Sequence, residues 1–347
     1  MKRFPLFKQA LHGLLGAALL FATSCQEEEK ELLPVFETGV LISTMGETGT
    51  SSGSVSYYDR ATGNVEADLF QKANNRALDG NLVSMATALE RTYLITSKDT
   101  IEVLASRTFT SAGTISGITS PRRLITGTSR TAYISSWITS PDSGRVVQVN
   151  LGTNAITKNM KVGPNPGAMA LVGSRLFVAN EGRDKVNVLN TTTFIIDTTL
   201  TVGDNPNSMV VDASGILWVL CGGKADGSTK GRLVRINPSA LRSQPREFEF
   251  SNSALQPHGL TLSGSKNRIF FAHDGVYSMD INALSLPALP IIPRRVEALG
   301  QDPADGLLYT GRAQANGSNG WVIRYRSNGA VVDSFEVQGV PKAFGFR

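Results

Sequence analysis

The chain has 347 residues, of which 41% are apolar and 18% charged, and the apolar residues fall in short alternating runs. This composition excludes a long coiled coil, a wholly disordered chain and a polytopic membrane protein. The formal charge of +5 includes Lys2, Arg3 and Lys8; without these three of the 34 basic residues, 31 remain against 29 acidic ones. A basic nucleic-acid-binding surface is therefore not indicated, and no nucleic-acid partner is predicted.

Residues 1–24 have the pattern of a secretory signal. Lys2 and Arg3 give a positive start, an apolar stretch covers residues 11–21, and small residues precede Cys25. The alternative is a short membrane anchor with a buried cysteine, which the pattern disfavours because so short an apolar run spans a bilayer poorly.

The residues before Cys25 resemble a bacterial lipobox, which implies cleavage before Cys25 and lipidation of that residue. Residues 25–37 would then be an acidic, lipid-anchored linker, attached to the membrane only through its acyl chains. The acidic run at residues 26–29 resembles the surface-export signal of Bacteroidota lipoproteins, although a plain solvated linker also fits it. The resemblance implies a lipid-anchored protein of the outer membrane, exposed at the cell surface.

The second cysteine, Cys221, would be the only free thiol once Cys25 is lipidated, so no disulfide is predicted. It follows an apolar run at the end of a predicted strand. This position favours a packed, inert thiol over a nucleophile.

A repeat of roughly 45 residues organises the rest of the chain. Residues 163–170 and 203–210 share the pattern Gly-x-Asn-Pro-x-x-Met, and a series of short strands follows each of them. Looser copies give seven starts in all: Leu82, Pro121, Pro166, Pro206, Pro257, Pro293 and Pro341. Four strands per repeat predict an all-β, seven-bladed β-propeller with four-stranded blades over residues 38–347.

The two ends of the propeller are predicted to complete one blade. Three strands, at residues 39–44, 54–59 and 64–70, come first and have no inner strand, whereas one strand alone follows Pro341. The C-terminal strand therefore completes the N-terminal blade, and this closure leaves no free sheet edge.

Several segments resemble known families. Residues 162–166, 176–180 and 186–190 look like YncE-type propellers. Residues 39–59 and 339–346 resemble the vitamin B12-capturing, BtuG-type surface lipoproteins of Bacteroidota. The resemblance implies capture of a small ligand such as cobalamin or another corrinoid, and its hand-off to a TonB-dependent outer-membrane transporter. It implies a binding protein with no cofactor and no chemistry of its own.

The direction of the strands places all Pro-containing loops on one face of the propeller. On this face, the seven residues that follow the seven repeat starts are predicted to form a ring around the axis. Cationic members of this ring suit a phosphate or carboxylate, with the alternative that they pair with nearby acids and cap the channel. Tryptophan would pack on an apolar ligand face, and rim amides would bond ligand amides. The predicted ligand-binding residues are Arg122, Trp137, Asn180, Asn205, Asn207, His258, His273, Arg294, Arg312 and Lys342.

Two other classes of function stay open. A lactonase- or lyase-like propeller enzyme would use His258 and His273 as acid–base or metal groups. No G-x-S-x-G turn marks a nucleophile, and the two histidines with Asp274 would need help from another blade to hold a metal, so neither a metal site nor an enzyme is predicted. A cell-surface scaffold for protein interactions is the remaining alternative.

Overall fold

A computed structural model describes residues 35–45, 53–139, 142–315 and 319–347. The predicted signal at residues 1–24, Cys25 and most of the predicted linker lie outside these residues. Within the described ranges, no helix is long and apolar enough to cross a membrane.

The strands form seven antiparallel sheets, one for each predicted blade. Blade 1 holds β1 (Gly39–Met45), β2 (Ser54–Asp59) and β3 (Val65–Glu66), followed by helix α1 (Leu69–Asn74). Blade 2 holds β4 (Leu82–Ala88), β5 (Arg91–Thr96), β6 (Thr100–Ala105) and β7 (Ser111–Ser116), and blade 3 holds β8 (Pro121–Thr126), β9 (Thr131–Trp137), β10 (Gly144–Asn150) and β11 (Ala155–Val162). Blade 4 holds β12 (Pro166–Val172), β13 (Arg175–Asn180), β14 (Lys185–Asn190) and β15 (Ile195–Thr201).

The second half of the ring continues this pattern. Blade 5 holds β16 (Pro206–Val211), β17 (Leu217–Cys221), β18 (Arg232–Ile236) and β19 (Arg246–Glu249), and blade 6 holds β20 (His258–Leu262), β21 (Arg268–Ala272) and β22 (Val276–Asp280). Blade 7 holds β23 (Ala298–Gln301), β24 (Leu308–Ala313), β25 (Asn319–Tyr325) and β26 (Val331–Gln338). The last strand, β27 (Val340–Phe346), joins β1 in blade 1.

Alternation along the middle strands builds the core between blades. In β13, Leu176 and Val178 pack with Tyr133 of blade 3, whereas Phe177 packs with Leu217 of blade 5. Successive side chains of a strand point to opposite faces, so a strand with a run of consecutive apolar residues, such as 176–179, is buried on both sides. Each blade is therefore stabilised by both of its neighbours.

The predicted closure of the ring is confirmed. The inner strands contact one another in the order β4, β8, β12, β16, β20, β23 and β27, and β27 returns to β4. Within blade 1, β27 pairs with β1 in antiparallel register, with Val40 opposite Phe346 and Ile42 opposite Phe344.

We call the junction of β27 with β1 the seam. Buried charged side chains stabilise it. Arg347 donates from its guanidinium to the backbone oxygens of Phe36 and Ser106. Arg60 donates to the Arg347 backbone oxygen at 2.7 Å and from Nε to Asp302 Oδ2 at 2.6 Å. The Asp302 side chain is fully buried, and Arg60 is 16% exposed. The pair ties blade 1 to blade 7 beside the end of the chain.

One predicted strand is largely wrong. The strand expected at residues 64–70 is reduced to β3, and Leu69 begins a helix instead. Leu69 and Phe70 are both buried in one cluster with Phe36 and Phe109. Adjacent residues of a strand face opposite sides, whereas a helical turn can turn both toward the same core.

Blade 6 departs from the predicted four strands. Its outer strand is replaced by a single bridge between Val276 and Ile292. Three prolines, Pro287, Pro290 and Pro293, fall in this segment, and proline has no N–H to donate to a ladder. The inner-strand start predicted at Pro293 is consequently wrong, because Pro293 belongs to this segment and β23 begins only at Ala298.

Replacing Arg60 tests the seam. Arg60→Ala leaves the buried Asp302 carboxylate without its partner, and we expect a loss of about 3–5 kcal/mol in the free energy of unfolding. Arg107→Ala is the matched control, because Arg107 and its partner Glu37 are 65% and 51% exposed, and we expect a loss of less than about 1 kcal/mol. Denaturant titration measures both; equal losses in the two variants would show that the seam does not depend on this pair.

Candidate functional site

A cation lies stacked on an aromatic ring at the Pro-containing face. The Arg122 guanidinium carbon is 3.6 Å from the centroid of the Trp137 ring. Trp137 Nε1 donates to the Pro166 backbone oxygen of the next blade at 3.1 Å, which fixes the indole. Stacking occupies a face of the guanidinium and leaves its N–H edge available to an acceptor.

Glu181 faces this pair from blade 4. It follows β13, and its backbone N–H donates to the Asn165 oxygen at 2.9 Å. Its carboxylate lies over Gly167, where an added Cβ would be 1.8 Å from Oε1. A side chain at position 167 would therefore displace the carboxylate, and glycine allows its close approach.

Burial and mutual charge set the electrostatics of the cluster. Burial raises the pKa of Glu181, although Arg123 and Arg122 act to lower it. Burial likewise lowers the pKa of Arg122, against the effect of Glu181. In the described part of the chain, no ion pair within 4.0 Å joins Glu181 to either arginine. We call Arg122, Arg123, Trp137 and Glu181 the mouth cluster; it carries two positive charges and one negative charge.

The three predicted asparagines make bonds within the scaffold. Asn180 is buried and donates from Nδ2 to the Pro164 oxygen at 3.0 Å. Asn205 Oδ1 accepts from the Gly182 N–H at 3.1 Å, and its backbone has a left-handed φ of 57°. Asn207 Nδ2 donates to the Pro257 oxygen at 2.9 Å. Each of these contacts helps to hold the loops and inner strands of this face.

Two of the predicted ring residues contact the segment just before the inner strand β23. Lys342 Nζ forms an ion pair with Glu297 Oε2 at 2.9 Å, as the channel-capping alternative expects. His258 Nε2 lies 3.1 Å from the Val296 oxygen, and its Nδ1 lies 3.3 Å from the Gln256 oxygen. Both nitrogens of His258 therefore face backbone carbonyls.

The remaining predicted cations are exposed. Arg294 lies in the loop before β23, rather than at the start of an inner strand, because the Pro-rich segment of blade 6 delays that strand to Ala298. Arg312 is exposed near the end of β24, opposite Trp321 of β25. It is on the face that carries the mouth cluster, since second strands end there.

His273 belongs to a different environment. Its side chain is 6% exposed, and its ring centroid is 5.0 Å from that of Phe250 in blade 5. Nδ1 is 3.7 Å from Asp274 Oδ1, whereas the buried Nε2 has no hydrogen-bond partner. The two histidines considered as a pair thus contact different blades. Among the described residues, no three His, Cys, Asp or Glu side chains are grouped so as to hold a metal ion.

Cys221 lies in the core, as predicted. Burial raises the pKa of its thiol to about 12. The thiolate, which is the reactive form, is therefore disfavoured at neutral pH.

Sequence reasoning missed Glu181 as a member of the site. The sequence contained a signal for Glu181, because Gly167 takes a ring position and has no side chain. The space above Gly167 can be filled by the residue that follows β13, which is Glu181. Recognising it requires knowing which loop covers which glycine, and that depends on the assembled blade.

Comparison with known proteins concerns the fold. No protein-family model matches the chain, and neither does any curated protein. A quinoprotein alcohol dehydrogenase-like protein from Bacteroides thetaiotaomicron superposes with a TM-score of 0.68 at 14% identity, covering 90% of this chain and 79% of its own. A periplasmic gluconolactonase from Pseudomonas aeruginosa superposes with a TM-score of 0.64 at 13% sequence identity, over 89% of this chain and 98% of the gluconolactonase. Kuenenia stuttgartiensis hydrazine synthase superposes with a TM-score of 0.61 at 13% sequence identity, over 91% of this chain and 98% of the synthase chain. At these identities the likeness shows a shared propeller fold, which hosts enzymes and other proteins alike.

Glu181→Gln tests the electrostatics of the mouth cluster. A raised pKa means that the folded state favours the protonated acid over the charged carboxylate. The contribution of Glu181 to the free energy of unfolding is therefore greatest below its ordinary pKa of 4.5, and it is lost as the pH rises through the pKa of Glu181 in the folded protein. We therefore expect the variant to melt above the wild type at pH 7 and to lose this advantage below pH 4.5. Asp197→Asn, on the exposed outer strand of the same blade, is the control. An unchanged or lower melting temperature for Glu181→Gln at pH 7 would contradict a net cost of the charged carboxylate.

Proposed function

We propose that the protein captures a small ligand at the mouth cluster, which binds an anionic group of that ligand, and performs no chemistry on it. In this proposal Cys25 carries the lipid that holds the protein at the outer-membrane surface, and the ligand passes to a TonB-dependent transporter. A corrinoid such as cobalamin is the ligand that the sequence resemblance favours.

One observation carries the proposal: a half-buried cation with free N–H donors is fixed on an aromatic ring beside a second cation. Arg122 is stacked on Trp137, Trp137 is held by Pro166, and Arg123 adds a second positive charge. The guanidinium of Arg122 makes no hydrogen bond to another described residue. Charge-assisted bonds from a fork of this kind suit a phosphate or a carboxylate.

The chemistry of a corrinoid matches this arrangement. Its phosphate would accept from Arg122 and Arg123, while Glu181 would accept from an amide N–H of the same ligand. Arg312, exposed on the same face, would extend the positive rim. Excess positive charge at a mouth also raises the rate at which anions arrive.

An enzymatic role has weaker support. The nitrogens of His258 lie 3.3 and 3.1 Å from the backbone oxygens of Gln256 and Val296, so this ring contacts the scaffold. His273 is turned toward blade 5. The likeness to a gluconolactonase is one of fold.

Calorimetric titration of the purified protein with cobalamin tests the proposal. We expect Arg122→Gln to weaken binding about 10- to 150-fold, because one charge-assisted bond contributes roughly 1.5–3 kcal/mol. Binding by the wild type should also weaken as salt is added.

Arg130→Gln is the matched control, since Arg130 belongs to the same blade but lies in the β8–β9 loop on the opposite face. It should bind cobalamin as the wild type does. A wild type that does not bind cobalamin would exclude the corrinoid, and an Arg122→Gln variant with unchanged affinity would exclude the mouth cluster as the site.

A further inference from the structure

We propose a second ligand site, in the side of the propeller between blades 5 and 6, that binds a single-ring organic compound with one hydrogen-bond donor. A cavity, the composition of its walls and one buried nitrogen without a partner support this site. None of these features involves the mouth cluster, so the site is independent of ligand capture there.

The cavity exists because blade 6 lacks an outer strand. Where other blades continue from their third strand into a fourth, the chain in blade 6 leaves β22 and runs through a Pro-rich segment that pairs only at Ile292. Leu286, Pro287 and Ala288 of this segment form one wall, and Phe250 of blade 5 contributes to the opposite side. We call this space the lateral cavity.

The lateral cavity has the size of a small aromatic molecule. Its volume is about 220 Å³, whereas a cavity of about 150 Å³ holds benzene. Its lining includes Phe250, Phe271, His273, Tyr277, Leu286 and Pro287. Three of these are aromatic carbon rings, and the Phe271 and Tyr277 rings are stacked with centroids 5.5 Å apart. Walls of this composition favour a flat apolar ligand.

His273 gives the lateral cavity its polar specificity. Its side chain is 6% exposed, and Nε2 is buried with no hydrogen-bond partner. Native proteins rarely leave such an atom unpaired, because the unpaired state is costly. A ligand in the cavity would supply the missing partner.

The neighbouring acid decides the direction of that hydrogen bond. Asp274 Oδ1 is 3.7 Å from Nδ1, and a carboxylate at this side of the ring favours the tautomer with its proton on Nδ1. Nε2 is then an acceptor, so the ligand must donate an O–H or N–H.

Two other polar groups of the lining are already bonded. The Tyr277 hydroxyl donates to Asp274 Oδ1 at 2.6 Å, so Tyr277 presents its ring rather than its oxygen. The Glu249 carboxylate accepts from Lys230 at 3.0 Å and from Arg232 at 3.3 Å. The remaining polar side chain of the lining, Ser251, is exposed. His273 Nε2 is thus the buried polar atom of the lining that has no partner, and it is the group that selects the ligand. Phenol is the simplest probe of this class.

Nuclear magnetic resonance of protein labelled with ¹⁵N-histidine tests the site directly. The chain has three histidines, so each can be assigned by substitution. We expect phenol to shift the His273 Nε2 resonance in a saturable manner and to leave His258 unchanged. Anisole, which has the same ring but no donor, should bind at least about tenfold more weakly. A His273 resonance that does not respond to phenol, or an equal affinity for anisole, would overturn the proposal.

Two variants locate the binding. His273→Phe keeps a ring of similar size and removes the acceptor, so phenol affinity measured by calorimetry should fall at least about tenfold. Ala288→Trp fills the cavity from an exposed wall position and should abolish binding without disturbing the core. Phenol binding that survives Ala288→Trp in a folded protein would place the ligand elsewhere. Neither variant changes the mouth cluster, so both should bind cobalamin as the wild type does if that proposal holds.

Discussion

The rest of the structure depends on closing a ring of seven inner strands, in which the last strand of the chain pairs with the first. Side-chain hydrogen bonds near this ring join neighbouring blades. Ser84 Oγ donates to the Arg122 oxygen at 2.6 Å, Ser135 Oγ to the Gly167 oxygen at 2.9 Å, and Asn207 Nδ2 to the Pro257 oxygen at 2.9 Å. Buried groups at the seam, with Asp302 and Arg347 at its centre, complete the closure.

This constraint divides the residues of the Pro-containing face into two groups. Asn207, His258 and Lys342 contact residues that lie just before an inner strand of a neighbouring blade, and they help to hold the ring. Arg122 meets the same need with its backbone oxygen, which accepts from Ser84, and its guanidinium is left to stack on Trp137. Where the outer part of a blade is incomplete, as in blade 6, the inner ring is preserved and a cavity opens at the side. Regular structure is thus kept at the axis, and both candidate sites lie where side chains or strands are not needed for closure.

The fold could be predicted from the sequence because its signals are local and repeated: a proline at a strand start, alternating apolar runs and a missing first strand. The errors came from segments that depend on contacts between blades. Leu69 and Phe70 turn toward Phe36, and Pro293 belongs to the remnant of an outer strand. The site was only partly predictable for the same reason. Arg122 and Trp137 were found by position, whereas Glu181 and the lateral cavity depend on which loop meets which blade.

Native-state hydrogen exchange of the inner strands tests the central claim most directly. If the ring opens only as a whole, the β27 amides bonded to β1 will exchange with the same opening free energy as the bonded amides of β12, because separating the seam unfolds all blades. If instead the β27 amides exchange at the rate of a frayed terminus while β12 stays protected, the propeller does not depend on its C-terminal strand, and closure of the ring is not the constraint that holds the blades together.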